Sequence, residues 1–352
     1  MSAPLISPRE TTKEEHRESP RTSRPGAARR VLSLAALTTL AALVAGCSAS
    51  SGPAENGDNT PAPQATSVSI TDNHGTMDVP TNPERFVALD NTVFGTLAAW
   101  DLTPVAVPKP VMGKLWPEFT SPASILDVGS HREPNLEAVV EADAELIIGG
   151  YRFASVYSDL TAITPTTIEI SPRDGEDHTS ELKREVTILG KIFQREKEAT
   201  EIAAKLDKAI SDAKGAYNGT DSVMGLITSG GKIAYAAPSE GRGVGTLFPT
   251  LGLKPAIDRE AEDTSHGDEI SVEAIAQANP EWLIVLDRDG AFQEDGYVPA
   301  ADLISKSEAL ANVPAVKKSQ IIVLDPNFYL DEGIQAYTTL YQTVADRFAA
   351  AQ

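Results

Sequence analysis

Apolar runs of five to seven residues alternate with amphipathic stretches along most of this chain. RFVALD (85–90), TPVAV (103–107), ELIIG (145–149) and TTIEI (166–170) read as short buried strands. TVFGTLAAW (92–100) and the stretches 136–142 and 155–162 read as the helices between them. The alternation resumes past the middle with SVMGLIT (222–228), KIAYAA (232–237), a helical GTLFPTLG (245–252), a helix over 272–278, and the strands WLIVLD (282–287) and QIIVLD (320–325). A helix over 333–350 closes the chain. Such alternation builds parallel α/β sheets, and two sets of it predict two Rossmann-like α/β lobes with central sheets.

Between the sets, over residues 176–217, Leu182, Val186, Leu189, Ile192 and Phe193 recur at spacings of three and four. That period predicts a helix of about five turns with Thr179 as its N-cap. The expected organisation is an N-terminal lobe (67–173), a single long bridging helix (174–194), a C-terminal lobe (195–352) and a ligand cleft between the lobes. A stiff helical bridge predicts lobes that move little against each other.

The two sets share a phrase. Residues 137–152, EAVVEADAELIIGGYR, align without a gap to residues 273–288, EAIAQANPEWLIVLDR, with six identities. In each copy a polar capping residue (Asn135, Ser271) precedes a helix, an apolar strand follows, and an arginine (Arg152, Arg288) stands just past the strand's carboxyl end. Ligands of open α/β sheets lie beyond the carboxyl ends of the strands. Two lobes facing each other would aim these arginines into one cleft from opposite walls. Spacing alone also allows the plainer reading, a common helix–strand unit ending in solvated loop arginines.

Charge and cysteine usage sharpen the picture. The net charge of −20 disfavours nucleic acid as a partner. The single cysteine, Cys47, directly follows VLSLAALTTLAALVAG (31–46), an apolar run too short to span a membrane and preceded by Arg29 and Arg30. This is the layout of a signal peptide (1–46), and Val44-Ala45-Gly46-Cys47 resembles a bacterial lipobox, in which the cysteine is lipidated. The alternative for Cys47 is a buried structural thiol. Residues 47–66, rich in Ser, Pro, Gly and Ala, read as a flexible tether. Without residues 1–46 the net charge becomes −23, so any cationic cluster in the body is local. A membrane-anchored body on the outer face of the cell membrane is expected.

TSHGDEISVEAIAQANPEWLIVLDR (264–288) followed by IIVLDPNFYL (321–330) resembles periplasmic-type substrate-binding lipoproteins of ABC importers of the ferric-siderophore and vitamin B12 class. Within that class it looks like the branch for catecholate and petrobactin-type siderophores. The resemblance runs from about residue 68 to the end. It implies two α/β lobes bridged by a helix, capture of an iron(III)–siderophore complex and delivery to a membrane permease with its ATPase. It also implies a monomer with no permanently bound cofactor. Three ligand-binding arginines fall on Arg152, Arg242 and Arg288, and two iron ligands on His266 and Tyr329. The segment DPNFYL is one residue shorter than the branch's usual form, which leaves Tyr337 and Tyr341 as substitutes for Tyr329. His131, although it sits in a matching Ser-His pair, is given no role by the resemblance. Glu137 and Glu273 match the carboxylates that pair with arginines of the permease. The other reading of both is a carboxylate near a helix N-terminus, worth ~0.3–1 kcal/mol.

The chemistry of that residue set is coherent. Ferric iron is a hard cation that favours oxygen donors, which suits catecholate and phenolate and tolerates imidazole. Two protein ligands are useful only when the siderophore leaves two coordination positions open. Arginine is a permanent, planar cation able to stack on aromatic rings or fork onto oxygens. No GxSxG, HExxH or phosphate-binding loop supports an enzyme, and five histidines are too few for a convincing His-rich site for bare zinc or manganese. Ferric hydroxamate, haem and cobalamin remain the alternatives within the transporter class.

Overall fold

Alternate residues of the central strands serve opposite faces. Phe86 and Ala88 pack into one apolar cluster and Val87 and Leu89 into another. Trp282, Ile284 and Leu286 likewise face the first cluster while Leu283 and Val285 face a third. Strands buried on both sides read as continuous apolar runs, which is why these segments stand out in the sequence. The computed structural model describes residues 66–293 and 295–352. The expected signal peptide, Cys47 and the tether up to residue 65 lie outside the described residues.

The first lobe holds a fully parallel five-stranded sheet in the order Leu126–Asp127, Ala106–Val107, Phe86–Ala88, Leu146–Gly149, Thr167–Glu169. The second lobe's sheet runs Asp268–Glu269, Lys232–Ala236, Ser222–Ser229, Trp282–Asp287, Ile321–Val323, with Lys254–Pro255 also on Ser222–Ser229. This sheet is mixed rather than parallel throughout, because Lys232–Ala236 folds back antiparallel on Ser222–Ser229. The cause is local. Ser229 pairs with Lys232 across Gly230 and Gly231, both at positive φ (58° and 70°), the backbone of a tight hairpin turn.

The expected bridging helix spans His178–Ile192. Its N-cap is Asp177, whose carboxylate accepts from the Ser180 amide at 2.8 Å; Thr179, the expected cap, instead donates its hydroxyl to Asp177 at 2.9 Å. The helix stops at Phe193, Gln194 takes a left-handed φ of +53°, and a second helix, Glu196–Ala216, carries the chain into the second sheet. The expected bridging helix is thus present within 174–194, and the helix after it falls in the residues expected to begin the C-terminal lobe. The two helices pack so closely that a Cβ on Gly190 would sit 2.8 Å from the Cβ of Ala199. Both helices and the C-terminal helix Ile334–Ala350 contribute to the cluster that also takes up the inner faces of both sheets. The first helix is also tied down electrostatically. Glu181 receives Arg173 through two nitrogens (2.8 and 2.7 Å) and Arg184 through a third (3.0 Å), which holds its carboxyl down at about 2.

The lobes also meet directly, where residues 90–92 face residues 329–333. Asn91 donates its side-chain amide to the carbonyl of Asp331 at 3.0 Å. Thr92 Oγ1 lies 2.8 Å from Asp90 Oδ1 and 2.5 Å from Glu185 Oε1. A hydroxyl has one proton to give, so both contacts form only when one of the two carboxyls carries a proton of its own. Burial agrees, pushing Asp90 up to about 7 and Glu185 well above the carboxylate range. Asp331 is also pushed up to about 7, by burial first and then by Glu332 and Asp325.

Folded-state values raised in this way stabilise the fold while the groups are protonated. The contribution is complete below the ordinary carboxylate range near 3.8 and is lost as pH rises through about 7. The melting temperature should therefore fall by a few degrees between about pH 5 and about pH 8. Asp331→Asn should reduce that fall, since an amide keeps the acceptor for Gly333 and never ionises. Calorimetry across the pH range decides it, and an unchanged slope in the variant would remove Asp331 from the account.

Candidate ligand-binding site

The strand Leu146–Gly149 runs into Gly150 at φ +113°, where a Cβ would sit 2.8 Å from the Ser171 hydroxyl and 3.3 Å from Asp90 Oδ2. Only glycine fits there, and the turn it permits delivers Tyr151 (φ +47°) and Arg152 past the strand end. In the second lobe, the buried Asp287 closes the strand Trp282–Asp287 and pins the turn beyond it. Its carboxylate accepts from Thr228 (3.0 Å), Tyr297 (2.7 Å) and the amides of Gly290 (3.1 Å) and Ala300 (2.9 Å). Four donors satisfy that buried charge. Arg288 comes next, its amide on the Thr228 carbonyl at 3.2 Å. Arg242 sits in a coil of glycines, where a Cβ on Gly241 would come within 2.8 Å of backbone atoms and Gly243 has φ +66°. Its amide donates to the carbonyl of Thr264 at 2.9 Å.

These three elements converge on Tyr329, carried by the short helix Phe328–Asp331 beyond the strand Ile321–Val323. The guanidinium carbons of Arg242, Arg288 and Arg152 lie 4.0, 5.2 and 5.6 Å from the centre of its ring. All are within cation–π range. Arg242 and Arg152 each also donate to the Tyr329 carbonyl, at 3.3 and 3.4 Å. Tyr329 is nearly buried, and burial alone would raise its phenol. The charges of Arg242, Arg288 and Arg152, with a hydrogen bond from Arg288, outweigh it and leave the phenol below its ordinary value. The set can therefore favour a phenolate and attract an anion. Nε of Arg152 and Nε of Arg288 are buried and have no hydrogen-bond partner among the described residues.

The other expected residues fall into two groups. Tyr337 and Tyr341 are core residues, Tyr337 stacking edgewise on Phe328 at 5.0 Å. His266 stands 54% exposed in the turn Asp263–Gly267, its Nδ1 3.4 Å from Asp263 Oδ2. No hydrogen bond, ion pair or ring contact joins it to Tyr329 among the described residues. The same turn supplies the Thr264 carbonyl that anchors Arg242, which places His266 two residues from the arginine cluster's support. Glu137 and Glu273 are both exposed in the first turn of their helices, Leu136–Glu141 and Val272–Ala278. The caps Asn135 and Ser271 accept from Ala138 and Ala274 at the same 3.1 Å. The repeat in sequence is a repeat in geometry.

Three residues of the site escape sequence reasoning, and a fourth, His131, stands out in the sequence but is given no role there. Glu332 takes Arg242 on both carboxylate oxygens, with Nε at 2.7 Å, and accepts from the Tyr151 hydroxyl at 3.3 Å. Tyr151 and Phe292, 40% and 41% exposed, flank the cluster from the two lobes, with Phe292 5.9 Å from the Tyr329 ring. Their apolar faces suit an aromatic ligand. His131, in the hairpin formed by Gly129–Ser130 and Glu133–Pro134, is kept below its ordinary value by burial and then by the charges of Arg152 and Arg132. Tyr151 and Phe292 stand one residue before and four after an expected arginine, which is a usable signal. Glu332 gives none, because its partner is 90 residues away.

Comparison with known proteins agrees with this architecture. The family model described as "Periplasmic binding protein" matches residues 86–328. The petrobactin-binding protein YclQ of Bacillus subtilis is 30% identical over 295 residues, covering 82% of this chain and 90% of YclQ. Its crystal structure superposes with a TM-score of 0.70 over 80% of this chain and 98% of that one. The ferric-anguibactin-binding protein FatB of Vibrio anguillarum is 25% identical, covering 75% of this chain and 81% of FatB. VctP of Vibrio cholerae, a periplasmic catecholate-siderophore binding protein, shares the fold with a TM-score of 0.71 at 22% identity, over 79% of this chain and 99% of VctP. The chain belongs to the periplasmic binding protein family.

Proposed function

We propose that this protein is the extracytoplasmic solute-binding component of an ABC importer and that it captures an anionic iron(III)–siderophore complex of the catecholate type. The iron is cargo, and no reaction is catalysed. The observation that carries the reading is the convergence of three guanidiniums on the Tyr329 ring in a chain of net charge −20. So concentrated a cationic patch in an acidic body suits an aromatic anion, and Tyr151 and Phe292 offer ring faces for it. Relatives named for petrobactin and for ferric anguibactin support the ligand class.

Cys47 holds the mature chain to the outer face of the cell membrane through a lipid, the tether 47–66 gives it reach, and it works as a monomer. No helix among the described residues is long and apolar enough to cross a membrane. Tyr329 and His266 supply the two iron ligands for a tetradentate siderophore. The lowered phenol supports Tyr329, and His266 reaches the metal by giving up Asp263. Glu137 and Glu273, exposed at matching places on the two lobes, engage the permease.

Fluorescence-quench titration with ferric catecholates, ferric trihydroxamates and haem tests the ligand class. Tightest binding of the hydroxamate or of haem would overturn it. Arg152→Ala or Arg288→Ala should cost roughly 1–3 kcal/mol for an anionic ferric catecholate and far less for a neutral ferric hydroxamate. Equal losses for both would make the arginines packing residues.

Direct ligation has its own signature. Bound to the wild type, a tetradentate ferric bis-catecholate should show a shifted catecholate-to-iron charge-transfer band. His266→Ala with Tyr329→Phe should abolish the shift and weaken the complex, while a hexadentate complex is hardly affected. An unaltered spectrum in the double variant would leave the arginines alone as the binding group.

Permease docking separates from capture. Glu137→Ala with Glu273→Ala should leave siderophore affinity unchanged and reduce uptake by cells. Undiminished uptake would identify both as carboxylates that serve only their helix ends.

A further inference from the structure

The cleft contains its own anion. Glu332 comes directly after the helix that bears Tyr329 and takes the left-handed conformation there, φ +56°, a capping position that glycine or asparagine usually fills. A glutamate in that conformation is strained, and its side chain is spent entirely inside the site. Both carboxylate oxygens engage Arg242, and the Tyr151 hydroxyl approaches one of them. Arg242 and Glu332 are almost buried, with side chains 9% and 6% exposed.

Separating a buried, doubly hydrogen-bonded ion pair leaves two uncompensated charges out of water. Arg242 is therefore held in place on the ring of Tyr329, 4.0 Å from its centre, and is not free to fork onto ligand oxygens. Arg152 and Arg288, each with a buried Nε that has no partner among the described residues, remain to meet the ligand. Three positive charges stand against Glu332 and against Asp289, whose Oδ1 lies 3.6 Å from Arg288 Nη1, which leaves the cleft with a formal charge of plus one.

We propose that Glu332 is a specificity-determining residue that sets how much negative charge the cleft accepts. It favours ferric complexes of low anionic charge, such as a tetradentate bis-catecholate of net charge minus one, over tris-catecholates of minus three. The proposal rests on the siderophore reading above and assigns to this chain a charge filter within it.

Glu332→Gln keeps the size and polarity of the side chain and removes its charge; Glu332→Asp keeps the charge and shortens the reach. Affinities of the full chain and both variants are measured for a ferric bis-catecholate, a ferric tris-catecholate and a neutral ferric trihydroxamate. Glu332→Gln should raise the affinity for the tris-catecholate relative to the bis-catecholate by about tenfold, because one unit of attraction is added per ligand charge. Glu332→Asp should keep the wild-type ratio, and the neutral complex should respond to neither change. An unchanged ratio in Glu332→Gln, or parallel losses for both anionic complexes, overturns the proposal and makes Glu332 a mere prop for Arg242.

If the wild type binds none of the ferric complexes, the siderophore reading fails and the charge filter falls with it; if it binds them and the ratio does not change in Glu332→Gln, the filter alone fails.

Discussion

Three guanidiniums around one phenol ring are a concentration of like charge that a fold must offset. Here Asp289 lies beside Arg288, and the rest of the offset comes from two adjacent pieces of one short segment. The ring and carbonyl of Tyr329 give the cations a face and an acceptor, and the carboxylate of Glu332 neutralises the most deeply placed of them. Arginine remains charged at any pH a protein survives, so the repulsion cannot be relieved by losing a proton. Position is what the fold can control, and the rigid turns around Gly150, Gly243 and Asp287 control it.

The same segment joins the lobes. Tyr329 accepts from Arg152 of the first lobe, Asp331 accepts from Asn91, and Glu332 accepts from Tyr151. Binding groups and lobe contact are thus one structure. A ligand that alters the field at Tyr329 acts on the residues through which the two sheets touch. Behind them lie Asp90, Glu185 and Asp331, buried carboxyls that burial pushes upward and that favour the protonated form. Cations in front and neutralised acids behind are a consistent division, because a buried charge is tolerable only beside its opposite.

Much of this was legible in the sequence, for physical reasons. Strands buried on both faces announce themselves as apolar runs, and the repeated helix–strand phrase located Arg152, Arg288, Glu137 and Glu273 together. The antiparallel strand Lys232–Ala236 is signalled by Gly230-Gly231, a hairpin cue that also passes for ordinary loop. The bridging helix ends at Ile192, within two residues of the expected limit at 194, because Phe193 continues the apolar period and the left-handed Gln194 ends it. Asp177 displaces Thr179 as cap because its carboxylate reaches the Ser180 amide from one residue before the helix. Arg242 and Tyr329 are reached only through resemblance. Their meeting depends on long-range packing that no local period encodes.

The repeat also explains where the two halves of the site part company. Duplicated units ending in arginine would by themselves build a symmetric cleft, with a histidine-bearing loop on each wall. The surroundings break that symmetry. Burial, and after it the charges of Arg152 and Arg132, keep the His131 imidazole below its ordinary value. His266 stands out in a turn where Asp263, its carboxyl lowered by the His266 amide, faces the ring. One imidazole has arginines nearby and the other a carboxylate, although both come after a serine in matching loops. Tyr329 and Glu332 add a further asymmetry, since both come from the second lobe alone. A symmetric frame supplies opposed cations, and the unsymmetric insertions decide what those cations can hold.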